Sequence, residues 1–168
     1  MNITKITGFI MALSLASFVM AESVHQKVQG EVAFAPAGGS ALEKNLIEVK
    51  SVPDAEEGKV ARVKSDMNQW GFVSYWFGIP SPAGKSVLRI RIYLDDQPFA
   101  EYAAYTINPK GQNMLEKIKL PADAKPNTFV NVDLQVNADA EWSGVAIKKF
   151  EKTDKPGPWI DSISIVLP

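Results

Sequence analysis

Cysteine is absent from all 168 residues. That absence excludes disulfides, thiolate metal sites, iron–sulfur ligation, a cysteine nucleophile and the acylated thiol of a lipoprotein. Histidine occurs once, as His25, so no multi-histidine metal centre can form. Its place near the start of the chain also argues against a serine–histidine–aspartate triad. An excess of one charge is missing too. The 18 Lys+Arg face 19 Asp+Glu, which leaves no net basic charge to hold a nucleic-acid backbone or an anionic membrane. Gly58, Gly71, Gly78 and Gly84 form no phosphate-cradling loop, and nucleotide chemistry is excluded with it. Helical stripes are lacking as well: no stretch of a dozen residues keeps a 3.6-residue apolar period, and no internal repeat occurs. Eleven Gly and eleven Pro are too few for a low-complexity chain, and 46% hydrophobic residues are too many for a disordered one.

The chain opens with a leader pattern. Residues 1–5 end in Lys5, residues 6–20 are uncharged and mostly apolar, and Val19-Met20-Ala21 offers small residues around a cleavage site. This predicts a signal peptide over residues 1–21, removed on export. Fifteen residues interrupted by Gly8, Ser14 and Ser17 are short for a membrane span. A secreted or periplasmic protein with no integral membrane span after cleavage is therefore expected. Removing 21 of 168 residues leaves enough chain for one domain that buries roughly 70% of its unfolded surface.

The dominant period is two. Leu88, Ile90, Ile92 and Leu94 alternate with Arg89, Arg91 and Tyr93. Val130, Val132, Leu134 and Val136 alternate with Asn131, Asp133 and Gln135. Such alternation marks half-buried strands. Shorter β-rich runs occur at 46–49, 59–64, 70–77, 101–107, 114–120, 143–150 and 159–167, separated by Pro/Gly/Asn/Asp turns. Eight or nine strands at this spacing predict an all-β fold: a single antiparallel β-sandwich, of jelly-roll type, over residues 45–168. Residues 22–44 form an N-terminal segment with one strand, through Val28, Gly30, Val32 and Phe34, and a loop. The expected core includes Val73, Leu88, Ile90, Ile92, Val132, Leu134, Ile163 and Ile165. Trp70 and Trp76 share parity with Phe72, which points to one buried aromatic face.

Four tryptophans invite a sugar-binding reading, because pyranose faces stack on aromatic rings. Trp142 follows Ala138-Asp139-Ala140-Glu141, and Trp159 follows Pro156-Gly157-Pro158. Both stand where a loop enters a strand, so they are the candidate ligand contacts. The polar faces of two strands supply Arg89, Arg91 and Asp133 as hydrogen-bonding partners for hydroxyls. The plainer alternative is a wet outer face with cross-strand Arg–Asp pairs. Asp95, Asp96, Glu101, Asp133 and Glu141 are available for glycoside hydrolysis, but spacing selects no pair among them, and the sequence leans away from an enzyme.

One ordered set of motifs carries a family resemblance. It runs Ile47-Glu48-Val49, Glu57-Gly58-Lys59-Val60, the strand from Trp70 into Pro80-Ser81-Pro82-Ala83-Gly84, Arg89-Ile90-Arg91, and Trp159-Ile160-Asp161-Ser162-Ile163. This order resembles exported jelly-roll carbohydrate-binding modules, which are similar to galactose-binding domains. The resemblance implies a non-catalytic module that recognises carbohydrate or a glycan-bearing surface. It also implies a structural calcium, with Glu48 and Asp161 as its ligands by position. Lys50 stands where the opening strand often repeats its acid, so calcium is expected to bind weakly or not at all and no other cofactor is expected. Two other function classes stay open: an envelope protein-interaction sandwich that does not bind sugar, and a small carboxylate-based glycan-active enzyme.

Overall fold

The computed structural model describes residues 23–167. The signal-peptide reading of residues 1–21 lies outside them. Ten strands carry the fold: β1 (Ser23–Gln29), β2 (Ile47–Ser51), β3 (Lys59–Val63), β4 (Phe72–Ser81), β5 (Gly84–Leu94), β6 (Tyr102–Asn108), β7 (Gly111–Lys117), β8 (Thr128–Ala138), β9 (Trp142–Lys149) and β10 (Trp159–Leu167). All pair antiparallel. One sheet has the order β2-β3-β10-β5-β8, with β1 also on β10; the other has the order β4-β9-β6-β7. The two sheets form the predicted β-sandwich. Among the described residues no helix is long and apolar enough to cross a membrane.

The alternation read from the sequence sets the layers. Leu88, Ile90 and Ile92 of β5 pair in register with Leu134, Val132 and Val130 of β8. On its other side β5 sets Leu88 and Ile90 against Ile165 and Ile163 of β10. Across the core stand Val73, Tyr75 and Phe77 of β4 with Val145 and Ile147 of β9. All eight expected core residues are buried. A one-residue slip in any of these strands would turn the whole inward set to solvent, so the interlocked register is self-enforcing.

Two expectations about local structure need correction. The N-terminal strand ends at Gln29, and residues Gly30–Val32 form a 3-10 turn. The reason lies in β10, one edge of which is shared. β3 takes it at Ile160, and β1 takes it from Ser162 to Leu167. The chain must turn away where the two meet, and Gly30 packs there directly on the Ile160 carbonyl. The aromatic parity is also reversed. Val73, Tyr75 and Phe77 point inward, while Trp70 and Trp76 are exposed. Trp70, which precedes β4 with a left-handed φ of 68°, and Trp76 do share a side, but it is the outer one, because the odd-numbered Val73, Tyr75 and Phe77 fill the core with Val145 and Ile147. Trp76 lies outside opposite Gly144, whose missing Cβ would stand only 3.0 Å from the indole.

The connections at 64–71, 95–101, 118–127 and 150–158 gather at one end of the sandwich. Register places them together, because Leu94 pairs Thr128, Tyr93 pairs Trp159, Phe72 pairs Lys148 and Tyr102 pairs Lys149.

The glycine at the β10 junction gives a direct check. A Cβ at position 30 would sit 2.1 Å from the Ile160 carbonyl oxygen, where only backbone could move. Gly30→Ala should cost about 1–3 kcal/mol by urea denaturation, as overpacking does. An unchanged midpoint would contradict the close approach.

Candidate functional site

Trp142 is 1% exposed. Its ring packs edge-on to Phe77, with centroids 5.9 Å apart. The residue does follow a turn, but its register opposite Ser81 turns the side chain inward. The expected solvent-facing platform is therefore corrected to a core residue. Trp159 is 5% exposed and is also no open platform. The Lys50 ammonium and Arg62 guanidinium lie 4.3 and 4.2 Å from its ring, and its indole N–H donates to Asp95 at 2.6 Å. Burial raises the Asp95 pKa. Hydrogen bonds from Trp159, the Gln97 amide and Lys50 outweigh that and hold its carboxyl below the usual range.

The polar-face residues are brought together in pairs. Arg89 donates to Asp133 through Nε and Nη2, at 2.7 and 2.6 Å, directly across β5 and β8. This is the cross-strand alternative rather than a ligand groove. Arg91 pairs with Asp161, donates to the Asp54 carbonyl at 3.2 Å and lies 4.0 Å from the Phe129 ring. Asp161 is fully buried, and its other oxygen accepts the Glu56 amide at 3.1 Å.

The same contacts decide the fit to calcium. Glu48 accepts Arg62 Nε at 2.6 Å, and both Asp161 oxygens are engaged. Calcium asks for six to eight oxygen ligands. Among the described residues no three Asp, Glu or His side chains gather as a metal-binding group. The residues present do not fit the ion; two guanidinium groups balance the two carboxylates.

Sequence reasoning missed the tryptophans that do face solvent. Trp70 is 52% exposed and borders a cleft of about 690 Å³ at the loop end of the sandwich. Its neighbours there include Asp66, Asn68, Gln69, Thr153 and Asp154. Carboxylates and amide oxygens accept from hydroxyls, while amide and hydroxyl hydrogens donate, which is the mixture a polyol requires. A bulky residue rarely holds a left-handed backbone. Here the Trp70 amide donates to the Lys149 carbonyl at 2.8 Å, the Gly71 amide to Asn68 at 2.9 Å, and Gln69 Nε2 to Phe150 at 3.1 Å. The Trp70 ring meets Phe150 edge-on at 4.8 Å. The available signal was the run Asn68-Gln69-Trp70-Gly71, whose polar and glycine residues read as a loop rather than a strand start.

Two other hollows frame the choice. One of about 430 Å³ opens beside Tyr93, Phe99, Leu120, Pro126 and Trp159. A smaller one of about 200 Å³ lies on the outer face of the four-stranded sheet between Phe34, Phe72, Trp76 and Ile107. Trp76 is 45% exposed there.

No family model and no curated protein matches the sequence. Solved structures match its fold. A β-1,3-glucan binding CBM6 from Bacillus halodurans is similar at 14% identity and a TM-score of 0.54, over 84% of this chain and 92% of that one. A CBM35 from Paenibacillus barcinonensis is similar at 11% identity and a TM-score of 0.56, over 84% and 98%. An exo-β-1,3-galactanase from Phanerochaete chrysosporium, solved with β-1,3-galactotriose, is similar at 12% identity and a TM-score of 0.55. That match covers 85% of this chain but only 29% of the galactanase. The protein has the jelly-roll fold of carbohydrate-binding modules.

Two substitutions test these placements. Trp142→Ala should cost about 3–5 kcal/mol of folding free energy, as for a large core aromatic. Arg91→Met would strand the buried Asp161 carboxylate, and a loss of about 3–5 kcal/mol is expected. A loss below about 1 kcal/mol in chemical denaturation would mean that Asp161 has another way to be satisfied.

Proposed function

We propose that this protein is an exported, non-catalytic module that binds a polysaccharide at the Trp70 cleft. One observation carries the reading: a half-exposed indole, fixed in a left-handed backbone, stands over a cleft of mixed donors and acceptors. An aromatic held at that exposure gives up apolar burial, and backbone outliers of this kind concentrate where ligands are held. The shared fold supports the reading, since the Bacillus module binds β-1,3-glucan and the galactanase is solved with a β-1,3-linked oligosaccharide. The leader pattern at residues 1–21 supports export, to the periplasm or the medium.

The ligand-contact role moves from Trp142 and Trp159 to Trp70. Arg89, Arg91 and Asp133 are assigned to holding the six-stranded sheet. A second reading, an envelope interaction module, draws on the outer face of the other sheet, where Phe34 and Trp76 are exposed around a shallow hollow.

Affinity electrophoresis in soluble β-1,3-glucan and β-1,3-galactan, backed by a glycan array, tests the proposal. Trp70→Ala should weaken binding by about 1–3 kcal/mol, roughly five- to 150-fold in Kd. Its unfolding free energy should fall by no more than about 1.5 kcal/mol, the scale of the lost edge-on contact with Phe150. A wild-type protein that retains no glycan would overturn the reading in favour of the interaction module.

A further inference from the structure

Lys149 closes β9 with the parity of the inward set, two residues beyond Ile147. It is 0% exposed. Taking an ammonium out of water is costly unless its donors are used. Among the described residues no carboxylate forms an ion pair with it. Its Nζ instead donates to two backbone carbonyls, Ser65 and Met67, each at 3.0 Å.

Those carbonyls belong to the loop that presents Trp70. The backbone of Lys149 holds the same loop from below: its carbonyl accepts the Trp70 amide at 2.8 Å, and its amide donates to the Gly71 carbonyl at 2.9 Å. Phe150 adds its own carbonyl to Gln69 and its ring to the Trp70 indole. The loop is wound so tightly that a Cβ on Gly71 would meet Met67 Cγ at 2.5 Å and the Asn68 carbonyl at 2.9 Å. Two carbonyls turned toward one point repel each other unless a cation or donor lies between them. A methionine at 149 would fill the volume and leave both without it.

We propose that the buried ammonium of Lys149 is the positioning residue of the Trp70 cleft. It acts as an internal cation that gathers the Ser65 and Met67 carbonyls and thereby holds Trp70 in its left-handed backbone with the indole toward solvent. A lysine suits the task because its ammonium is a compact point charge with three rotatable donors, where a planar guanidinium fork would need room in two directions. The substrate side of this role rests on the glycan reading above; the loop side does not.

Lys149→Met in the full chain separates the two. In the ligand-free protein, amide hydrogen exchange over 65–71 should quicken at least tenfold, while β5, β8 and β10 keep their protection. Lys149→Arg, which retains charge and donors, should recover part of that protection. Affinity for soluble β-1,3-glucan should fall about as far as in Trp70→Ala, and the double variant should be no weaker than Trp70→Ala alone, because both act through one indole. Unchanged exchange over 65–71 overturns the proposal, and so do affinity losses that simply add. Quickened exchange in a protein whose wild type binds no glycan upholds the positioning role and sinks the glycan reading instead. Should Lys149→Met not fold, the wild-type ammonium answers alone. Its nitrogen resonance should exchange slowly with water and show couplings across the hydrogen bonds to the Ser65 and Met67 carbonyls. A fast-exchanging ammonium without them overturns the proposal.

Discussion

β10 is buried on both faces almost to its end, and the rest of the six-stranded sheet arranges itself around that constraint. One edge of the strand carries β5 from Trp159 to Val166; the other is divided between β3 and β1. Its apolar residues Ile163 and Ile165 fill the core, so its polar ones must find partners without water. Asp161 is the sharpest case. A bulge between Ile160 and Ser162 places its carboxylate beneath the β2–β3 turn, where Arg91 and the Glu56 amide satisfy it. The turn is anchored by the same contacts, since Arg91 also donates to Asp54. A single buried charge thus joins β10, β5 and the loop above them.

The loop end inherits its geometry from the same strand. β10 begins at Trp159, β3 ends at Val63, and the Gly157 amide donates to the Val63 carbonyl at 2.8 Å. That contact ties segment 150–158 to the start of segment 64–71, and Lys149 grips the latter from inside the core. Two basic residues with opposite surroundings therefore do related work. Arg91 neutralises a buried carboxylate to hold one turn, whereas Lys149 collects neutral carbonyls to hold another. The second arrangement is weaker per contact, because a carbonyl carries only a partial charge. It suits a loop that has to be shaped without being welded to an opposite charge.

What the sequence made legible follows where local and global preferences agree. The alternations in β5 and β8 were long, so their inward sets, and with them the fold class, could be read directly. The family resemblance pointed to the same jelly roll. The tryptophans were less legible, because position next to a loop does not fix the direction of a side chain. Trp142 and Trp159 each begin a strand, and register sends Trp142 inward and Trp159 beneath two cations. Trp70 deceived in the other direction: it does share a side with Trp76, but that side faces solvent, since Val73, Tyr75 and Phe77 fill the core. Asp161 carries a similar lesson, since a bulge displaces the side chain from the face that simple alternation would give it. Turns, bulges and positive φ values erase periodicity locally, and the candidate site is built from them.

The four tryptophans consequently divide by the free energy they serve. Trp142 and Trp159 bury their rings, one against Phe77 and the other under Lys50 and Arg62, and their apolar area stabilises the folded chain. Trp70 and Trp76 keep about half of theirs in water, so that part remains available to an incoming surface. Availability alone does not make a site, and the two differ in what surrounds them. Trp76 stands over Gly144 with Phe34, Phe72 and Ile107 nearby, an apolar setting that discriminates little among partners. Trp70 is flanked by carboxylates, amides and hydroxyls, groups whose directional hydrogen bonds can tell one hydroxyl arrangement from another. Discrimination among hydroxyl arrangements requires that second kind of neighbourhood, and the buried Lys149 holds two carbonyls of the loop that carries it.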